Sequence, residues 1–96
     1  MEIEELLKSR REEILELAND HGAYEVRVFG SAARRDTHPN SDIDFLVKLE
    51  SGRSLLDLAR LLLALEGLLG REVDVVTEAG LRERIRDEVL TEARPI

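Results

Sequence analysis

Gly30-Ser31-Ala32-Ala33-Arg34-Arg35-Asp36-Thr37-His38-Pro39-Asn40-Ser41-Asp42-Ile43-Asp44-Phe45-Leu46-Val47 is the stretch whose reading decides the architecture. Its second half reads as a strand running from Asp42 to Leu49. Ile43, Phe45, Val47 and Leu49 fall on one face, and Asp42, Asp44, Leu46 and Lys48 on the other. Its first half starts at a break: Gly30-Ser31 ends a preceding strand, and Ser31 can cap a short helix over Ala32 to Arg35. Between the two lie residues 36–41, polar and turn-forming, which read as a loop.

Working outward, Tyr24 to Phe29 is a short strand, since Val26 and Val28 alternate with Glu25 and Arg27. Upstream, Ile3, Leu6, Leu7, Ile14, Leu17 and Ala18 recur at helical spacing, so residues 2–19 read as one amphipathic helix ended by Gly22. Downstream, Ser54 caps a helix that runs to Leu69 and stops at Gly70. Val73 to Thr77 follows as a third strand, with Val73 and Val75 on one face and Asp74 and Val76 on the other. Leu81, Ile85 and Val89 mark a last helix to about Glu92. The alternation predicts one α/β (α+β) domain over residues 1–96: a small mixed sheet of three to four strands, with helices on one face. The opposite face, which carries the carboxylates, is expected to stay open at one end.

That open face has the makings of a site. Asp42 and Asp44 are two apart on a strand, so their side chains point the same way, and Asp74 has the parity to join them from a neighbouring strand. Three carboxylates on one face repel each other unless cations sit between them. Mg²⁺ takes oxygen ligands, usually one or two carboxylates together with phosphates and water. A pair of such ions can clamp the attacking and leaving oxygens of an in-line displacement. Gly30 at a strand-to-helix turn allows close backbone approach, and the N–H groups that follow favour a phosphate. Taken together, the residues point to metal-assisted chemistry on a phosphate ester.

Composition narrows the field. The chain has 96 residues, a formal net charge of −7, three aromatic residues and no cysteine. Disulfides and thiolate metal sites are excluded. The negative balance argues against a nucleic-acid ligand, which calls for a positive surface. Met1-Glu2-Ile3-Glu4-Glu5 lacks the basic and apolar regions of a secretory signal, and the leucine-rich stretch is broken by Asp57, Arg60 and Glu66. The expectation is a cytoplasmic protein away from membranes. The helix over residues 54–69 carries leucine around most of its circumference. Either its outer face is an interface for a homo- or hetero-oligomer, or it packs against the first and last helices.

Gly-Ser, ten intervening residues and Asp-x-Asp, here Gly30-Ser31 and Asp42-Ile43-Asp44, resembles the pattern of the DNA polymerase β-like nucleotidyltransferase superfamily. The stretch from Gly30 to Val47 is similar to its minimal nucleotidyltransferase branch. The resemblance continues through Ser54-Leu55-Leu56-Asp57-Leu58, Gly70-Arg71-Glu72-Val73-Asp74-Val75-Val76 and Glu92-Ala93-Arg94-Pro95-Ile96. It implies that Gly30 and Ser31 hold the β- and γ-phosphates of ATP, with Arg34 steadying the turn or touching phosphate. It implies that Asp42, Asp44 and Asp74 are catalytic and ligate two Mg²⁺ ions, Asp74 serving as ligand or as base toward the acceptor hydroxyl. Arg35 departs from the pattern, which commonly has glycine there. Short members of this branch resemble the antitoxin partners of HEPN ribonuclease toxins. That implies transfer of AMP to a toxin tyrosine, silencing the ribonuclease. Transfer to a small molecule, or neutralisation by binding alone, are the alternatives.

Overall fold

The computed structural model describes residues 2–34 and 42–96. Among these residues nine elements follow in order: α1 (Ile3–Ser9), α2 (Arg11–Asp20), β1 (Ala23–Phe29), α3 (Gly30–Arg34), β2 (Ile43–Leu49), α4 (Leu55–Leu69), β3 (Val73–Thr77), α5 (Glu83–Glu92) and β4 (Arg94–Pro95). The strands form one mixed sheet in the order β3-β2-β1-β4. β1 runs antiparallel to β2 and to β4, while β2 and β3 are parallel. A parallel pair needs a crossover, and α4 supplies it.

β2 is an interior strand whose alternation lets both of its faces be buried. Ile43, Phe45 and Val47 enter the main core, where Ile3, Leu7, Ile14 and Ala18 of α1 and α2 meet Leu61, Leu65 and Leu69 of α4. The ends of α4 follow from local chemistry. The Ser54 hydroxyl accepts from the Leu56 N–H at 3.3 Å, and the Ser54 N–H donates to Asp57 Oδ2 at 3.0 Å, closing a capping box. Gly70 ends the helix in the left-handed region at φ 66°.

Four features differ from the sequence reading. The first helix is two: the chain breaks at Arg10 (φ −108°, ψ 11°). Its polar run from Lys8 to Glu13 offers nothing to bury, and the Ser9 hydroxyl donates to the Leu6 carbonyl at 3.1 Å in competition with the helix. β1 starts one residue earlier and carries a bulge between Tyr24 and Arg27. Ala23 and Val26 are both buried, a spacing of three that strict alternation cannot give, and Glu25 at φ 49° absorbs the extra residue. The chain's last residues form a strand, β4, paired with β1 at Arg27 and Val28. Helices also cover both faces, not one. Leu46, on the carboxylate side of β2, is fully buried with Leu81 and with Val89 of α5, flanked by Phe29, Val76 and Leu90. The expected loop at residues 36–41, Arg35 and His38 lie outside the described residues. Among the described residues, no helix is long and apolar enough to cross a membrane.

Candidate active site

The carboxylates sit where β2 and β3 begin. Asp44 and Asp74 are direct partners in the parallel register, and neighbouring strands lie about 4.8 Å apart. Both belong to the face away from the main core, since Ile43, Phe45, Val73 and Val75 fill the core side. Asp42 comes one residue before β2. Exposure falls along β2: Asp42 is exposed, Asp44 half-buried, Leu46 fully buried. Asp74 is exposed. Beyond Leu46 the face is closed by α5 and by an ion pair between Arg27 and Glu78 at 2.7 Å. The carboxylate face is therefore open at one end, as its parity predicted.

Gly30 closes the other side of Asp44. It lies at φ 66°, and a Cβ placed on it would come 2.5 Å from Asp44 Oδ2. Glycine meets both demands, a left-handed backbone and room for the carboxylate. Ser31 follows, half-buried in α3. Arg34, at the end of α3, is half-exposed and ion-paired to Glu92 at 3.0 Å.

The Asp44 carboxyl is pushed up from its ordinary 3.8 to about 6. Burial is the main cause, followed by the charges of Asp74, Asp42 and Glu92, and Arg34 pulls the other way. Burial and like charges both disfavour the carboxylate, so a cation at this position relieves a tension built into the chain. Among the described residues, no group of three His, Asp or Glu side chains converges on a single metal position. A magnesium ion does not need such a cage, because one or two carboxylates suffice when phosphates and water complete the shell. The register pair Asp44 and Asp74, with Asp42 beside them, fits that mode of binding.

One residue of this corner escaped the sequence reading. Glu92, the last residue of α5, accepts from the Gly30 N–H at 2.8 Å and from Arg34 Nη1 at 3.0 Å. A signal was available: an acidic side chain in the last turn of a helix opposes the helix dipole and needs outside partners.

Residues 3–96 match the nucleotidyltransferase domain family. The chain is 40% identical to protein adenylyltransferase MntA of Thermococcus cleftensis over 91 residues, which covers 95% of this chain and 89% of that one. A solved structure provisionally described as a minimal nucleotidyltransferase superposes with a TM-score of 0.86 at 58% identity, over 96% of this chain and 94% of that chain. A toxin–antitoxin structure with AMP-PNP shares the fold, with a TM-score of 0.75 at 24% identity over 88% of this chain and 69% of that one. With the whole of its described sheet and its Gly-Ser and Asp-x-Asp residues inside the matched span, the chain belongs to the nucleotidyltransferase domain family.

Proposed function

We infer that this protein transfers AMP from Mg-ATP to a hydroxyl of a partner protein, and that the partner is a HEPN ribonuclease toxin modified on a tyrosine. The observation that carries the transfer chemistry is that Asp44, paired in register with Asp74, lies directly against the Gly30 turn. The name of the Thermococcus cleftensis relative supports a protein acceptor. The toxin–antitoxin structure with AMP-PNP, similar in fold, supports a toxin as that protein and ATP as donor.

In this reading the Ser31 hydroxyl and N–H hold the β- and γ-phosphates at the turn that Gly30 opens, Gly30's own N–H being taken by Glu92, and Arg34 adds a guanidinium. Asp42, Asp44 and Asp74 hold two magnesium ions, which supply positive charge against the developing charge on the phosphoryl oxygens. Asp74, exposed and across from Asp44, takes the proton of the attacking hydroxyl. The oxygen–phosphorus bond forms at the α-phosphorus as the bond to the β-phosphate oxygen breaks, and pyrophosphate leaves. The partner docks on the outer face of α4, where Leu55, Leu56 and Leu63 are exposed while Leu61, Leu65 and Leu69 pack inward.

Intact-mass spectrometry of a HEPN-type partner after incubation with this protein, ATP and Mg²⁺ tests the reading. The expected result is a gain of one or more AMP units, absent with the Asp42→Ala/Asp44→Ala double variant. An unmodified partner that both forms still neutralise overturns the catalytic reading in favour of antitoxin action by binding. An unmodified partner that neither form neutralises directs the search to a small-molecule acceptor.

A further inference from the structure

Glu92 spends both of its carboxylate oxygens on the phosphate turn. Oε1 takes the backbone N–H of Gly30 at 2.8 Å, and Oε2 takes the guanidinium of Arg34 at 3.0 Å. These are the first and last residues of α3, so one side chain spans the whole turn. The sequence separation is 62 residues for the Gly30 contact, so the contact is made by tertiary structure alone. Two neighbouring contacts run the same way. Arg94 Nη2 reaches the Ala32 carbonyl at 3.5 Å, and β4 pairs with the residues of β1 that lead into the turn. Residues 92–95 thus clasp a segment that also buries Ala32 in the main core, and a five-residue helix depends on such tertiary contacts because it cannot sustain itself.

The clasp matters at Gly30 in particular. Its backbone is in a conformation that glycine adopts at no steric cost but does not prefer over others, so glycine there loses more conformational freedom than any other residue. A fixed acceptor on its N–H selects one conformation, the one that sets the turn against Asp44.

We propose that Glu92 is a positioning residue for nucleotide binding: it braces Gly30 and Arg34 so that the turn is preformed when the triphosphate arrives. The proposal rests on the nucleotide-transfer reading above and adds to it a residue outside the Gly-Ser and Asp-x-Asp pattern. It does not require Glu92 to touch nucleotide or metal. Preorganisation acts by sparing the ligand the cost of ordering its site.

Two substitutions separate the brace from its charge. Glu92→Gln keeps an oxygen acceptor for the Gly30 N–H, whereas Glu92→Ala removes acceptor and charge together. In the full chain, the Gly30 amide is followed by ¹⁵N NMR hydrogen exchange. Binding of α,β-methylene-ATP with Mg²⁺ is followed by calorimetry, well below the melting temperature of each variant. Glu92→Ala is expected to speed Gly30 exchange and to weaken nucleotide binding, each about tenfold, with Glu92→Gln recovering most of both losses. A merely structural role shifts melting without that recovery. Unchanged exchange at Gly30 in Glu92→Ala overturns the brace. Tighter nucleotide binding by both variants also overturns it, because Glu92 then competes with phosphate for the turn. If the wild-type chain binds nucleotide and Glu92→Ala binds it equally well, the role fails while the transfer reading stands. If the wild-type chain binds no nucleotide, both fail.

Discussion

Gly30 carries two constraints at once, and its substitution tests both. Gly30→Ala forces a Cβ against the Asp44 carboxylate and holds an L-residue at φ 66°, so it is expected to cost about 1–3 kcal/mol in urea unfolding. It should also abolish nucleotide binding by pushing Asp44 out of place. Asp44 itself gives a pH signature. Its carboxyl titrates near 6 in the folded chain, against an ordinary 3.8. Between those values the folded chain binds more protons than the unfolded one, so this group's contribution to stability is fully present below 3.8 and is lost as pH rises through about 6. Metal-free wild type should therefore lose part of its stability across that window, and Asp44→Asn should lose less, as urea melts at pH 4 and pH 7 will show. Mg²⁺ competes with that proton, so its affinity should fall as the pH drops below 6. Asp44→Asn should also lower AMP transfer by about 100-fold or more, read by the mass assay. The shared face of Asp44 and Asp74 was legible in the sequence because strand parity sets the side of each. Glu92 was legible only as an acid at a helix end in need of partners; which partners was not, because they lie 58 and 62 residues away.

At the scale of elements, the helix ends of α4 and the faces of β2 and β3 were legible because each is set by neighbours a few residues apart. Ser54→Ala should cost about 1 kcal/mol, measurable in urea, because it removes the cap on a helix that carries a crossover. Leu65→Ala, at a position 1% exposed between α4 and the sheet, should cost about 2–5 kcal/mol. Leu63, 66% exposed on the same helix, should tolerate alanine with almost no loss. The break at Arg10, the bulge at Glu25 and strand β4 were not legible. Each answers to packing: α1 and α2 must both reach the core, Ala23 and Val26 must both turn inward, and Arg94-Pro95 finds its hydrogen bonds only once β1 is in place. The cover that α5 gives to Leu46 was hidden for a simpler reason. A strand with apolar residues on both sides looks half-exposed until its second helix is found.

Over the whole molecule, a net charge of −7 leaves the folded chain under self-repulsion that cations relieve. Magnesium should raise the melting temperature more than sodium chloride of equal ionic strength, by an amount that the Asp42→Ala/Asp44→Ala variant loses; a calorimetric scan distinguishes binding from screening. The seal behind Leu46 has a further consequence. With α5 and the Arg27–Glu78 pair closing the rear of the carboxylate face, the described residues leave that face open at its Asp42 and Asp74 end. In the proposed reaction an acceptor would therefore approach from the ends of β2 and β3 where Asp42 and Asp74 are exposed, and not from behind Leu46.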